Sequence, residues 1–384
     1  NDLSIKRDEL AKKFQQEIRP LFKSNTVDLF GNIGDSININ SQVQLMDLFN
    51  NKMHLNLPST GDGILELCDN PTVKILREYR GYEKLVSAFG ENLLSKINPV
   101  TKRIHPEFNQ LGAATGRFSC NNPNFQQIPR QSENAPFRSC FNPEPGYKLV
   151  TTDYSTFEMR IMAELSGDPN LVDAFRRGVD VHSNTAALMF GLEMSDDFAK
   201  KYPNERFAAK SINFGLMYGR GPTSLAKQLG ISPERGREYL EKYFKSYPGV
   251  KKYLEKVSNE AVKKGWSTTP AGRKRWYIQP DPTDPDYTRK ISHIQRQAKN
   301  HPIQGTNADA IKYALVFLSD KIKEQNFDAS IVLTVHDEVV CEVREDQAEE
   351  WAAIQSNEMV RAGQLFIKKV PVESKPFIGD VWEH

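Results

Sequence analysis

Four side chains spaced four apart, Arg206, Lys210, Phe214 and Tyr218, form the clearest chemical pattern in this sequence. Residues 206–219 lack proline and are rich in helix formers, so they read as a helix on which these four fall in one stripe. Two cations lead into two flat rings. That order suits a nucleoside triphosphate, whose phosphates need positive charge and whose base needs a stacking surface. Phe207, Ala208, Ile212 and Leu216 fall mostly away from the stripe and are predicted to pack inward. A solvated amphipathic helix with two core aromatics satisfies the same spacing, so the stripe gains meaning only from its neighbours.

Acids supply the second pattern. The β-branched content of residues 147–153 predicts a strand ending at Asp153, followed by a turn into a helix through about Leu165. Residues 330–335 and 339–343 flank His336, Asp337 and Glu338, which predicts a hairpin with the acids at its tip. Taken singly, an Asp before a helix is commonly a cap and a polar tip is commonly turn chemistry. Brought together in one sheet, two such carboxylates hold divalent cations, magnesium above all, with the substrate's phosphates completing the shell. A metal pair there activates an attacking hydroxyl and stabilises the leaving oxygen of an in-line phosphoryl displacement. Between the acids, residues 296–306 carry Arg, Asn and Gln side chains suited to phosphates and groove acceptors.

The elements that position these groups belong to a chain of 384 residues, 39% apolar and 26% charged, enough for two or three domains with a sizeable core. No apolar run approaches a membrane span, and the N-terminus has no signal-peptide pattern, so the expected location is intracellular, with no membrane partner. Cys68, Cys120, Cys140 and Cys341 lack paired metal-ligand spacing, which predicts reduced, structural thiols. The net charge of +2 hides an uneven distribution. Residues 200–299 hold 22 Lys plus Arg against 9 Asp plus Glu, a local excess of 13 that suits a polyanionic partner. Residues 4–23, 41–51 and 71–89 have helical apolar spacing and make the first hundred residues a helical unit without recognisable chemistry, and residues 280–285 read as one exposed loop.

Taken together, Asp153-Tyr154-Ser155 with Glu158 and Arg160, then Arg206, Lys210, Phe214-Gly215 and Tyr218-Gly219, then Val335-His336-Asp337-Glu338 resemble motifs A, B and C of the family A DNA polymerases, the bacterial DNA polymerase I type. Thr115-Gly116-Arg117 with Pro123-Asn124, Asp180-Val181-His182, Gly272-Arg273-Lys274-Arg275 and Gln304-Gly305-Thr306 extend the resemblance from about Arg103 to the C-terminus. It is weaker through the first hundred residues.

The resemblance implies an α+β right-hand polymerase. Residues 1–97 would be an N-terminally incomplete helical thumb, 98–155 and 305–384 the two segments of a palm on an antiparallel sheet, and 156–304 the helical fingers. Its activity would be template-directed addition of dNTPs to a primer 3′ end by two-metal-ion phosphoryl transfer, with release of pyrophosphate. Asp153 and Asp337, helped by the Tyr154 backbone carbonyl, would bind two Mg²⁺ ions, for which Mn²⁺ can substitute. His182, Arg206 and Lys210 would hold the triphosphate, Lys210 also protonating the departing pyrophosphate. Phe214 would pack on the nucleotide, Tyr218 would stack near the templating base, and Glu158 would exclude a ribose 2′-hydroxyl. Arg117, Asn124, Gln127, Arg296, Asn300, Gln304 and His336 would track the primer-template DNA. The resemblance further implies a monomer, with any exonuclease domain on a longer or separate chain, because no acidic exonuclease motif precedes the first helix. Three positions depart from the family pattern: Thr156 and Phe157 replace the more usual Gln and Ile, and Gln127 stands where Asn is general. A single-subunit RNA polymerase, a non-catalytic DNA-binding subunit and a two-metal nuclease remain alternatives, and Glu158, the Phe214-Gly215 pair and the intact Asp153, Asp337 and Lys210 favour the DNA polymerase.

Overall fold

The computed structural model describes residues 2–22, 37–129, 137–217 and 219–383. The chain divides into two compact units, Asn1–His105 and Pro106–His384.

The first unit is helical. Helices Asp2–Ile18 and Pro71–Phe89 pack against each other, and Phe14, Ile18, Leu45, Phe49, Val73 and Leu76 form its core. Asn70 starts the second helix: its side chain accepts hydrogen bonds from the backbone N–H groups of Thr72 and Val73, with Pro71 at the position where a missing N–H does no harm. The first helix stops earlier than its apolar spacing predicts. Pro20 cannot donate to the helical ladder, and the chain tightens into a 3₁₀ turn at Arg19–Leu21. The predicted helix over 41–51 divides into Gln42–Asp47 and a wider π turn, Leu48–Lys52.

The second unit is built around an antiparallel sheet, making the fold α+β. Among the described residues its strands are β1 (Glu107–Asn109), β2 (Ser119–Asn121), β3 (Tyr147–Tyr154), β4 (Trp266–Thr268), β5 (Lys274–Trp276), β6 (Ala329–Val335), β7 (Glu338–Arg344) and β8 (Ser374–Gly379). Four of them form the main sheet in the order β6-β7-β3-β8, while β1-β2 and β4-β5 are two-stranded ribbons. The predicted strand through Asp153 is thus β3, an interior strand. The helix Ala348–Gln364 covers it: the fully buried Gln355 donates to the Val339 carbonyl at 2.9 Å and accepts from Trp351 Nε1 at 2.8 Å.

Shorter helices, among them Val181–Phe190, Pro203–Met217 and Pro248–Lys264, fill the sequence between β3 and the 39-residue helix Tyr287–Gln325. That long helix runs through Pro302, which has no N–H to give the Ala298 carbonyl, and the Thr306 hydroxyl donates to the Pro302 carbonyl at 2.6 Å. Residues 280–285 lie outside helix and strand, as predicted. No helix among the described residues is long and apolar enough to cross a membrane. No disulfide joins Cys68, Cys120, Cys140 or Cys341, all of them described residues.

Candidate active site

Strand pairing brings the two acid motifs to one end of the main sheet. Asp153 lies opposite Glu338 on β7, and the Tyr154 N–H approaches the Asp337 carbonyl at 3.4 Å. On its other side Asp153 faces Lys375 of β8. The hairpin is tighter than the sequence predicts. Only His336 and Asp337 form the turn, with His336 at φ 58°, while Glu338 is a strand residue rather than a second acid at the tip. The reason is the alternation of the strand, which turns Glu338 away from solvent. It is 3% exposed, paired with Arg138 at 3.2 Å and accepting from Trp382 Nε1 at 2.8 Å, and the Arg138 guanidinium stacks 4.1 Å from the Trp382 ring.

Beyond β3 the chain turns sharply into the helix Phe157–Ser166 through Thr156, at φ 48°. A β-branched residue rarely adopts this left-handed conformation, so surrounding contacts must hold it. Two are evident. Tyr154 and Phe157 stack inward with ring centroids 4.0 Å apart and planes 7° from parallel, and Arg160 Nε donates to the Ser155 carbonyl at 2.9 Å while its guanidinium pairs with Glu373 at 2.8 Å. The Tyr154 side chain is therefore a core group, 2% exposed, with its hydroxyl donating to the Met359 carbonyl at 2.5 Å. The turn places Glu158 one helical turn from the strand end, 7% exposed, with one carboxylate oxygen 2.5 Å from the Arg117 guanidinium. Burial raises the Glu158 carboxyl above its usual range, the Arg117 charge opposes that shift, and Asp337 adds to it.

These groups surround one cleft of about 560 Å³, whose lining includes Asp153, Asp337, Glu158, Arg117, His336 and Phe214. Phe214 belongs to the helix Pro203–Met217, so the aromatic end of the stripe reaches the acids. Lys210 is exposed on the same helix, and Arg206 Nε pairs with Asp180 at 2.7 Å. Burial would raise the Asp180 carboxyl, but bonds from Arg206 and Ser183 bring it down to about 2. Tyr218 lies outside the described residues. The inward face differs from prediction at one position. Ala208, Ile212 and Leu216 are buried, but Phe207 is 55% exposed. Seven residues make about two helical turns, which puts Phe207 on the side of Phe214 rather than on the buried side.

His182, near the start of the helix Val181–Phe190, is 5% exposed and packs 5.5 Å from the Phe214 ring. The Asn213 amide meets its Nδ1 at 3.0 Å and Thr185 Oγ1 at 3.2 Å, which fixes the ring. Burial, together with Arg206 and Lys210, lowers its pKa to about 4 against the opposing pull of Asp180. It is therefore a neutral imidazole near pH 7.

The remaining predicted residues are spread more widely. Asn124 accepts from the Gln126 N–H at 3.1 Å and caps a 3₁₀ turn that leaves Gln127 exposed. On the long helix Arg296 is exposed, Asn300 half-buried and Gln304 buried. Gly219, at φ 67°, approaches Arg296 so closely that an added Cβ would sit 3.2 Å from its carbonyl oxygen. Glycine is needed there both for its conformation and for its size. Thr115-Gly116-Arg117 is held from behind by Arg273, which bridges to Asp309 at 2.9 Å and to the Gly305 carbonyl at 2.9 Å. Sequence spacing did not reveal Lys375, Arg138 or Trp382 as parts of this site, because Lys375 reaches it only through the strand order and Arg138 and Trp382 only by packing on Glu338. No local pattern marks them.

For divalent metal, Asp153 at the end of β3 and Asp337 in the adjoining β6-β7 turn are a fitting donor set, two hard oxygen groups that line the same cleft. Among the described residues no group of three or more His, Cys, Asp or Glu is placed to hold a metal.

A family model described as DNA polymerase family A matches residues 7–384. The chain is 40% identical over 329 residues to DNA polymerase I of Pseudomonas aeruginosa, covering 83% of this chain and 35% of that one. It is 37% identical over 361 residues to DNA polymerase I of Bacillus caldotenax, covering 91% of this chain and 40% of that one. It thus spans well under half the length of these relatives. A solved structure of the POL domain of Pol1 from M. smegmatis, in complex with DNA primer-template and dNTP, matches 99% of this chain and 66% of its own, at 33% identity and a TM-score of 0.82.

Proposed function

Because the chain belongs to DNA polymerase family A, we propose that it is a template-directed DNA polymerase core that extends a primer 3′ end with dNTPs and releases pyrophosphate. The observation that carries this reading is the single cleft shared by Asp153 and Asp337 of the sheet and Phe214 of the basic helix. Asp153, Asp337 and the Tyr154 backbone carbonyl would hold two Mg²⁺ or Mn²⁺ ions, which when bound make the primer hydroxyl a better nucleophile and neutralise developing charge on the phosphates.

Lys210 and Arg206 bind the triphosphate, and Lys210 supplies a proton to the departing pyrophosphate oxygen. A phosphate competes with Asp180 for Arg206 without leaving a buried charge stranded, since both side chains of that pair are about one-third or more exposed. Neutral His182 donates from its imidazole rather than adding charge. Phe214 gives the nucleotide a flat apolar surface, while Tyr218 stacks near the templating base. Glu158, fixed by Arg117, stands against a ribose 2′-hydroxyl and selects by collision. Arg117, Asn124, Gln127, Arg296, Asn300, Gln304 and His336 follow the duplex, whose nearly degenerate minor groove lets pair geometry be checked without reading sequence. In this reading residues 1–97 are the thumb, 98–155 and 305–384 the palm, and 156–304 the fingers. The protein acts as a monomer inside the cell, where DNA and dNTPs are found.

Primer extension with dNTPs or NTPs, with and without Mg²⁺, tests the reading. Extension that requires dNTPs, template and Mg²⁺ is expected. Equal use of NTPs would make it an RNA polymerase, primer cleavage without extension a nuclease, and binding without either a non-catalytic subunit.

A further inference from the structure

The β4-β5 ribbon shows solvent a face that a structural hairpin does not require. Its two sides alternate, and one is committed to the protein. There the Ser267 hydroxyl meets the Tyr277 hydroxyl at 2.6 Å and His301 Nδ1 at 2.8 Å, with Ala261, Ile294 and Ala298 packed alongside Tyr277. On the other side Trp266 stands directly across from Trp276, and Thr268 from Lys274. The two indole centroids are 6.3 Å apart at an interplanar angle of 58°, and Lys274 Nζ lies 4.4 Å from the Trp266 ring and 5.6 Å from the Trp276 ring. Trp276 is 68% exposed and Ile278, two residues on, 95% exposed.

The charge around this face identifies its partner. Residues 248–279 contain eight Lys and Arg against two Glu. Lys264 is already matched to Glu260 and Arg273 to Asp309, whereas the contacts of Lys274 are the two rings. Exposed aromatic faces beside an excess of cations are what unpaired nucleotides need, because bases stack on rings while phosphates meet positive charge. A duplex keeps its base faces hidden and would leave the indoles idle. We propose that Trp266, Lys274 and Trp276 form a docking strip for single-stranded DNA, separate from the acid cleft, that takes the unpaired stretch of a template. Arg273, next to Lys274, ties this ribbon to Gly305 and Asp309 of the long helix behind the Thr115-Gly116-Arg117 loop, so a strand held here stays close to that loop.

The strip rests on the polymerase reading only for the strand's role, and its test needs no catalysis. The other two tryptophans, Trp351 and Trp382, are buried, so fluorescence quenching reports on the ribbon. The full chain is titrated with an oligothymidylate of about 16 nucleotides and with a blunt duplex of equal length. Trp276→Ala is expected to weaken single-strand binding about tenfold and Trp276→Phe by less, since a ring remains. Lys274→Ala should weaken it about threefold and lower the salt slope by about 0.7. Duplex affinity should stay within about twofold for all three variants. Unchanged single-strand affinity in Trp276→Ala, or an equal loss for duplex, would overturn the proposal, whatever the chain does in primer extension.

Discussion

The acid end of the sheet and the helix Pro203–Met217, through its Phe214, meet in one cleft, but the acids and the cations of that helix are held in opposite ways. Asp153 and Asp337 rest on buried structure: Glu338 locked by Arg138 and Trp382 on one side, the Tyr154–Phe157 stack on the other. Lys210 is exposed, and Arg206 is held by Asp180 in a pair whose side chains are 32% and 40% exposed. Pairs of that kind are worth about 0–1 kcal/mol, so an incoming phosphate can replace Asp180 at little loss. The difference assigns the two halves different duties. In the proposed reading the acids are pre-organised whether or not substrate is present, whereas the cations would complete their geometry on the phosphates themselves.

The contrast breaks most sharply at the acids. Asp153→Asn or Asp337→Asn keeps shape and removes charge, and single-nucleotide addition should fall at least about a thousandfold, the scale of several kcal/mol of lost charge stabilisation. Duplex affinity should change by no more than about threefold, because it comes from cations on phosphate. Retention of a tenth of the activity at saturating Mg²⁺ would remove the assignment.

Stability separates the halves next. Arg138→Leu strands the Glu338 carboxylate in the core, and urea unfolding should register a loss of about 3–5 kcal/mol. Arg206→Ala, which breaks the partly exposed pair, should lose no more than about 1 kcal/mol. Similar losses in both would mean that the two halves are equally fixed. Lys210→Ala then tests the cationic half alone: kcat/KM for dNTP should fall about a hundredfold, with kcat and KM both affected, since a cation on a transferring phosphate stabilises transition state and ground state together. An unchanged kcat/KM would leave Lys210 as an ordinary surface lysine.

How much of this was legible in the sequence depends on the range of the forces involved. Strand β3 and the β6-β7 hairpin showed through because period-two alternation and apolar runs are local signals, and the stripe Arg206, Lys210, Phe214 showed through for the same reason at helical period. Strand β8 did not. Its Lys375 and Pro376 are poor strand formers, tolerated because β8 is an edge of the sheet, and only strand order sets Lys375 opposite Asp153. The support of Glu338 was hidden likewise, since Arg138 lies 200 residues away from it in sequence. The hairpin tip was misjudged by one residue because three polar side chains in a row do not reveal that the last one is satisfied inside. The outward tryptophans of the β4-β5 ribbon were equally unreadable, as a ring in a strand is ordinarily a core residue.

The smallest expected effect tests the orientation of the basic helix, on which the whole comparison depends. Apolar spacing alone groups Phe207 with Ala208, Ile212 and Leu216, but the structure turns Phe207 outward at 55% exposure while Ile212 is 1% exposed. The two rotations predict different energetics. With the observed rotation, Ile212→Ala opens a cavity in the core and should cost about 2–5 kcal/mol. Phe207→Ala trims a surface ring and should change urea stability by less than about 0.5 kcal/mol. Were Phe207→Ala to cost as much as Ile212→Ala, the helix would be turned by most of a quadrant. Phe214, seven residues on and therefore on the same side as Phe207, would then face the core rather than the cleft. The cations would lose their geometric link to Asp153 and Asp337, and with it the reason for reading acids and stripe as one site.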